Sequence, residues 1–196
     1  MLELEKEALA KLDLGVVFDG AFPSNPHLAD TAAMRELVEF EKVGKPLFTL
    51  LGTTGTGKSY ACAVGLVRLM VKRAKAMQER TYGSYNMAGR VLKHWDVSAM
   101  LGADGVRDRR ELIKAPLIML DDLQVHGVGK VTQPFIDWIY ELVDYRHCHQ
   151  LPMFITSNST IEAFKETYGD RVTSRLNQSG YLAVVKGDDL RMKGTP

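Results

Sequence analysis

Gly52-Thr53-Thr54-Gly55-Thr56-Gly57-Lys58-Ser59 is the stretch that decides the fold, because it matches the pattern G-x-x-x-x-G-K-[ST] at every fixed position. The residues before it, Leu47-Phe48-Thr49-Leu50-Leu51, form a continuous apolar run that predicts a strand buried on both faces. After it, apolar side chains recur every three or four residues from Lys58 to about Gln78, which predicts a helix. A glycine-rich loop between a buried strand and a helix is the setting in which this pattern binds phosphate.

The parts of this loop suit a nucleoside triphosphate and Mg²⁺, so we predict ATP and Mg²⁺ as cofactors. The glycines let backbone N–H groups turn toward phosphates, and the helix N-terminus adds its positive dipole. Lys58 is expected to reach the β- and γ-phosphates, and Ser59 to ligate Mg²⁺. A glycine-rich turn without a ligand is the alternative, and the flanking strand and helix argue against it. The predicted nucleotide-binding residues here are Gly52, Thr53, Thr54, Gly55, Thr56, Gly57, Lys58, Ser59 and Tyr60.

A second apolar stretch ends in two carboxylates, in Pro116-Leu117-Ile118-Met119-Leu120-Asp121-Asp122. ATPases with a phosphate-binding loop present their acidic residues in this way. We predict that Asp121 holds Mg²⁺ and that Asp122 polarises the attacking water. Without the loop upstream, the same residues would indicate only a strand that ends in solvated acids.

Two further polar groups follow later strands. Asn158 ends the run Ile155-Thr156-Ser157-Asn158, at the edge of a parallel sheet where ligands bind, and is a candidate for sensing the γ-phosphate or positioning water. Alternatively, residues 157–160 only cap the next helix. Arg171 and Arg175 lie four residues apart, on one helical face. They fit either contact with a neighbouring subunit's phosphates or ordinary surface ion pairs.

The order of predicted elements indicates an α/β fold. Five predicted strands alternate with helical or loop sequence, which implies a parallel sheet covered by helices on both faces. A helix capped by Asp30 or Thr31 is also expected to run to about Val43, closed by Gly44-Lys45-Pro46. The strands after Leu47–Leu51 are predicted at Val91–Trp95, Leu117–Leu120, Met153–Thr156 and Tyr181–Val185.

Composition limits the partners and the compartment. The chain has 196 residues, of which 45% are hydrophobic and 25% charged, so we expect one main globular domain. Its formal net charge of +1 is too small to indicate nucleic-acid binding, so any such contact needs a local patch. Two cysteines, Cys62 and Cys148, fit a reducing compartment. The sequence contains neither a signal-peptide pattern nor an apolar run of membrane-spanning length, and we expect a cytoplasmic protein.

In the order Gly-Thr-Gly-Lys-Ser, Leu-Asp-Asp-Leu, Thr-Ser-Asn and Asp-Arg-Val-Thr-Ser-Arg-Leu, these motifs resemble the DnaC, DnaI and IstB-like family of AAA+ ATPases, and most of all the DnaC-type helicase loaders. The resemblance covers about residues 31–193 and implies an αβα sandwich with sheet order 5-1-4-3-2. Residues 1–30 are then an N-terminal helix and linker, and residues 31–196 the ATPase domain. Eleven residues follow Val185, which implies the branch without a C-terminal helical lid.

The resemblance also implies roles for several residues. Arg175 matches the arginine finger, Arg171 its supporting neighbour, and Arg191 a late sensor arginine, so Arg171 and Arg191 join the predicted nucleotide-binding set. Asp122 stands where many AAA+ proteins have glutamate, which predicts slow hydrolysis. His126 and Lys130 follow the two acids, in the segment that faces single-stranded DNA in the loaders, and are either DNA contacts or part of a plain flexible glycine loop.

The function implied is that of an ATP-dependent helicase loader or replication assembly factor. Its implied partners are a hexameric replicative helicase, single-stranded DNA and further copies of the chain in an ATP-bridged oligomer. The loaders have a separate helicase-binding N-terminal domain, and only about thirty residues precede the matched region, so either the chain is truncated or it binds its partner differently. Two alternatives remain: an IstB-like transposition ATPase, and an ATP-binding switch with little turnover. A GTPase is disfavoured, since the sequence lacks the Asn-Lys-x-Asp motif.

Overall fold

The computed structural model describes residues 2–12, 18–78, 90–93, 106–126 and 131–190. The helices in these ranges are α1 (Leu2–Ala10), α2 (Ala32–Val43), α3 (Lys58–Gln78), α4 (Val106–Ile113), α5 (Gln133–Cys148) and α6 (Ile161–Gln178). The strands are β1 (Leu47–Gly52), β2 (Arg90–Lys93), β3 (Ile118–Asp121), β4 (Met153–Ser157) and β5 (Gly180–Val185). None of the helices in the described ranges combines the length and the apolar character needed to cross a bilayer.

The strands form one parallel sheet in the order β2-β3-β4-β1-β5. Strand β1 pairs with β4 on one side and with β5 on the other, and β3 pairs with both β2 and β4. The predicted fold class, the five-stranded parallel sheet and the order 5-1-4-3-2 are therefore confirmed. Observed strand ends lie within two residues of the predicted ones, and Trp95, at the end of the predicted second strand, lies outside the described residues.

Strand β1 is buried on both faces, as its apolar run predicted. Phe48 and Leu50 belong to a core shared with α1, α2 and α3, whereas Leu47 and Leu51 belong to a second core shared with α4, α5 and α6. Because successive side chains of a strand point to opposite faces, this division places three helices on each side of the sheet. The central strand and its loop are thus fixed from both sides.

The first core extends into the N-terminal segment. Ala8 and Leu12 are buried in the core that also contains α3, and the buried carboxylate of Glu5 accepts a hydrogen bond from the backbone N–H of Ser24 (3.1 Å). Helix α2 begins after Thr31, whose hydroxyl accepts from the N–H of Met34, and it ends at the predicted glycine. The division into a segment 1–30 and a domain 31–196 stays a prediction.

Helix α6 is broken at Gly169, which has φ 82° and ψ 167°. Such a backbone conformation is open to glycine and strained for other residues. The break separates a first half, whose Tyr168 hydroxyl donates to the carbonyl oxygen of Gln124 after β3, from a second half that carries Arg171 and Arg175. Helical spacing alone did not predict it.

Candidate nucleotide-binding site

The loop Gly52–Ser59 lies at the carboxyl edge of the sheet, between β1 and α3. Three of its glycines have positive φ: 130° at Gly52, 79° at Gly55 and 82° at Gly57. At Gly52 a Cβ atom would also lie 2.0 Å from the carbonyl oxygen of Val185, which no side chain permits. The glycines at these positions therefore follow from backbone geometry and from the close approach of β5.

Lys58 extends into the loop, and its side chain is buried. Its Nζ donates hydrogen bonds to the carbonyl oxygens of Gly52 (2.9 Å) and Thr53 (2.6 Å) and to Oδ1 of Asn158 (2.9 Å). The hydroxyl of Thr56 donates to the same Thr53 carbonyl oxygen at 3.0 Å. The ammonium group is thus held at the centre of the loop.

The two acids at the end of β3, Asp121 in the strand and Asp122 directly after it, are joined by one hydroxyl. Thr156 on β4 donates from Oγ1 to Oδ1 of Asp121 at 2.7 Å. The Oγ1 atom of Thr156 also accepts from the backbone N–H of Asp122 at 2.9 Å. Asp121 is buried. Asp122 has φ 55°, in the left-handed region that aspartate tolerates better than most residues because its short polar side chain bonds locally. This geometry gives a physical reason for aspartate where the resemblance led us to look for glutamate.

Asn158 connects the lysine with the second acid. Its Oδ1 accepts from Lys58, and its Nδ2 donates to Oδ1 of Asp122 at 2.5 Å. The residue lies directly after β4, which is flanked by β1 and β3 in the sheet. Three neighbouring strand ends therefore contribute to a single hydrogen-bonded chain, Lys58–Asn158–Asp122.

Two residues of this network were not assigned by the sequence. Gln124 donates from Nε2 to Oδ2 of Asp122 at 3.0 Å, so that both carboxylate oxygens of Asp122 accept amide hydrogen bonds. Thr156 was noted as part of the strand end but had no role. A polar side chain inside an otherwise apolar strand was a usable signal for Thr156, whereas nothing in the local sequence indicated Gln124.

The first turns of α3 face both the site and the N-terminal segment. The ring of Tyr60 stacks on Phe18, with centroids 6.4 Å apart, and burial raises the pKa of its hydroxyl while a hydrogen bond with Asn25 lowers it. Burial raises the pKa of the Cys62 thiol well above its usual value, and the charge of Asp121 raises it further. Cys62 lies buried in the first core. Ser59 is half-buried in the first turn of α3, where the prediction placed it.

The two arginines of α6 contact α5. The guanidinium carbon of Arg171 lies 4.5 Å from the ring centre of Tyr140, and Nε of Arg175 donates to Oδ1 of Asp144 at 3.0 Å. The side chains of Arg175 and Asp144 are each about one-third exposed, at 33% and 34%. Arg175 lies in the last turn of α6, just before β5 begins. Because the strands are parallel, β5 begins at the amino ends of the strands, whereas the loop lies at their carboxyl ends. The finger and supporting roles stay predictions.

The predicted nucleic-acid contacts are only partly within the described residues. His126 is exposed, and its backbone N–H donates to the Thr167 hydroxyl at 3.0 Å. Lys130 and Arg191 lie outside the described residues, so their predicted roles stay predictions.

Three solved structures illustrate what this chain is similar to. The crystal structure of the DnaC helicase loader matches with a TM-score of 0.63 and 19% identity, over 88% of this chain and all (100%) of that one. The crystal structure of DnaI matches with a TM-score of 0.56 and 19% identity, over 96% of this chain and 93% of that one. The replication initiator DnaA, bound to AMPPCP and single-stranded DNA, matches with a TM-score of 0.52 and 15% identity, over 82% of this chain and 48% of that one.

This chain therefore spans about half the length of that DnaA chain and the whole length of that DnaC structure. The sequence matches no family model, and no curated protein matches it. The fold is that of an AAA+ P-loop NTPase, and the predicted likeness to DnaC-type proteins is confirmed at the level of structure. Identities below 20% establish the fold and leave the activity to the chemistry of the site.

Proposed function

We propose that this protein binds ATP with Mg²⁺ at the loop Gly52–Ser59 and hydrolyses it slowly. The observation that carries this proposal is the hydrogen-bonded chain Lys58–Asn158–Asp122, which places a cation, an amide and a carboxylate next to a glycine loop. This is the combination that phosphoryl transfer needs: charge for the phosphates, and a base for the water.

The residues present fit Mg²⁺. The buried carboxylate of Asp121 and the hydroxyl of Ser59 are oxygen donors at the same edge of the sheet, and Mg²⁺ prefers oxygen ligands. We propose that these two residues hold the ion, Asp121 through water. Bound there, the ion would neutralise charge on the β- and γ-phosphates.

Phosphate binding requires Lys58 to exchange partners. Its Nζ donates to two backbone carbonyl oxygens of the loop, which are neutral acceptors. Phosphate oxygens are anionic and accept stronger, charge-assisted hydrogen bonds. Exchange of the loop carbonyls for phosphate therefore favours the nucleotide complex. Asn158 is hydrogen-bonded to both Lys58 and Asp122, so we propose that a shift of the Lys58 side chain also changes the position of Asp122.

Hydrolysis is proposed to use Asp122 as the base. A water attacks the γ-phosphorus, its proton passes to the Asp122 carboxylate, and ADP leaves. Both oxygens of this carboxylate accept hydrogen bonds, from Asn158 and from Gln124, so the attacking water must bind at a remaining lone pair of a carboxylate whose negative charge these bonds already stabilise. We expect this requirement to make turnover slow, which also keeps the switch with little turnover as a second candidate.

The first prediction concerns Lys58→Ala. Loss of the charge-assisted hydrogen bonds to phosphate should weaken ATP binding roughly 10- to 100-fold, as measured by titration of fluorescently labelled ATP. Lys45→Ala is the matched control, because Lys45 precedes β1 and donates to the carbonyl oxygen of Asn177. Equal affinity in Lys58→Ala and the wild type would contradict the nucleotide site.

Assembly is proposed to complete the site. Arg175 lies away from the loop of its own chain, and its ion pair with Asp144 is about one-third exposed, at 33% and 34%, so that water weakens the pair enough for it to open. We propose that in an ATP-bridged oligomer Arg175 leaves Asp144 and contacts the γ-phosphate of the neighbouring copy. Guanidinium suits this role because it is permanently charged and can bind two phosphate oxygens.

The second prediction is that Arg175→Ala binds ATP normally but loses about a thousandfold in hydrolysis, because the missing group acts on another copy's nucleotide. A mixture of Arg175→Ala with Lys58→Ala should regain part of the activity, since one provides the loop and the other the arginine. Arg35→Ala, which removes an ion-paired arginine on α2, is the control. Loss of ATP binding by the monomeric Arg175→Ala variant would show that the residue acts within its own chain.

We further propose that the protein works as a replication assembly factor of the helicase-loader type, with a hexameric helicase and single-stranded DNA as partners. Support comes from the structural similarity to the DnaC helicase loader and to a DnaA bound to single-stranded DNA. On this proposal the switch of ATP occupancy controls partner binding, and His126, Lys130 and Arg191 contribute to DNA or nucleotide contacts. An IstB-like transposition ATPase is the alternative within the same fold.

The third prediction separates these roles. ATP hydrolysis should rise when single-stranded DNA and a hexameric replicative helicase are added together, because both partners favour the assembled state in which Arg175 meets a neighbouring nucleotide. The measurement is phosphate release with neither, one or both partners, with Arg175→Ala as the control that should not respond. A rise with a transposase, and none with the helicase, would favour the IstB-like role.

A further inference from the structure

The five residues after β5, 186–190, lie along the glycine loop, and we call them the tail segment. The backbone N–H of Leu190 donates to the carbonyl oxygen of Gly55 at 2.9 Å, and the hydroxyl of Thr53 donates to the carbonyl oxygen of Gly187 at 3.5 Å. These contacts begin where Val185 already touches Gly52. The tail segment therefore follows the loop over much of its length.

Asp189 brings a carboxylate directly onto this loop. A Cβ atom at Gly55 would lie 1.9 Å from Oδ1 and 2.7 Å from Oδ2 of Asp189, so both oxygens pack against the α-carbon of the glycine. Asp189 is half-buried there, whereas its neighbour Asp188 is exposed. An acidic group thus occupies the wall of a loop that is proposed to receive phosphates.

A negative charge in this position acts against a nucleotide. Two like charges a few ångströms apart repel each other substantially where water is partly excluded, and the repulsion grows with the charge on the phosphates. The nucleotide therefore either binds against this repulsion or displaces the tail segment, and both routes lower the affinity. Mg²⁺ reduces the net charge of the triphosphate and so reduces the penalty.

We propose that Asp189 sets the nucleotide affinity of this site by opposing phosphate binding at Gly55, and that it favours the Mg²⁺ complex of ATP over the free nucleotide. The inference rests on the proposed function, since it assumes that phosphates bind in the loop. On this inference, Asp189 in the tail segment helps to determine what the loop binds, although it lies outside the loop.

The test compares Asp189→Asn with Asp188→Asn, which removes the same charge one residue earlier. Labelled ATP is titrated against the wild type and both variants, with Mg²⁺ and with EDTA, at low and high salt. Asp189→Asn should bind about tenfold more tightly at low salt with EDTA, and the gain should shrink with Mg²⁺ and at high salt because the repulsion is screened. Asp188→Asn should stay within about twofold of the wild type, because an exposed charge is screened by water.

The outcomes distinguish this inference from the function on which it rests. If the wild type and Asp189→Asn bind ATP with equal affinity while Lys58→Ala still binds weakly, the inference alone is overturned. Weaker binding by Asp189→Asn only with Mg²⁺ would overturn it as well, since the carboxylate would then be assisting the metal. No ATP binding by the wild type or any variant would overturn the proposed function together with the inference.

Discussion

The site depends on the two hydrogen bonds of the Asn158 side-chain amide, because one joins it to a cation and the other to a carboxylate. Its oxygen accepts from Lys58 at 2.9 Å, and its nitrogen donates to Asp122 at 2.5 Å. An amide is suited to this position because it carries both an acceptor and a donor. Parallel pairing of β4 with β1 and β3 fixes the three strand ends side by side, so the sheet order itself determines the reach of these side chains.

Much of this arrangement could be predicted from the sequence because its causes are local. An apolar run followed by the glycine loop and an amphipathic helix predicted β1, the loop and α3, and the helix bounds agree with the structure. The position of Asp121 at the end of a buried strand followed from the same reasoning. Because the strands of the predicted sheet are parallel, their carboxyl ends share one edge, so Asn158 could be placed at the ligand-binding edge, whereas its hydrogen bond with Asp122 was not predicted.

Other features depend on contacts between residues distant in sequence, and no local pattern indicated them. Arg146 is wholly buried in α5 and donates to the carbonyl oxygens of Ile113, Ala115 and Pro152, although a charged residue in a helix predicts exposure. Burial lowers its pKa to about 10, and the nearby charge of Arg73 contributes. The contact of Asp189 with Gly55 likewise spans most of the chain. Such contacts arise from how the layers pack, which spacing within one element does not contain.

The central claim is that Asn158 and Asp122 act as one unit, and a double-mutant cycle on the rate of ATP hydrolysis tests it most directly. Asn158→Ala, Asp122→Asn and the double variant are compared with the wild type at saturating ATP and Mg²⁺. The account predicts strong non-additivity: the double variant should be about as slow as the slower single variant, because Asn158→Ala breaks the chain from Lys58 and Asp122→Asn removes the base at its end. Effects that multiply independently would contradict it, since the two residues would then contribute to catalysis without acting through each other.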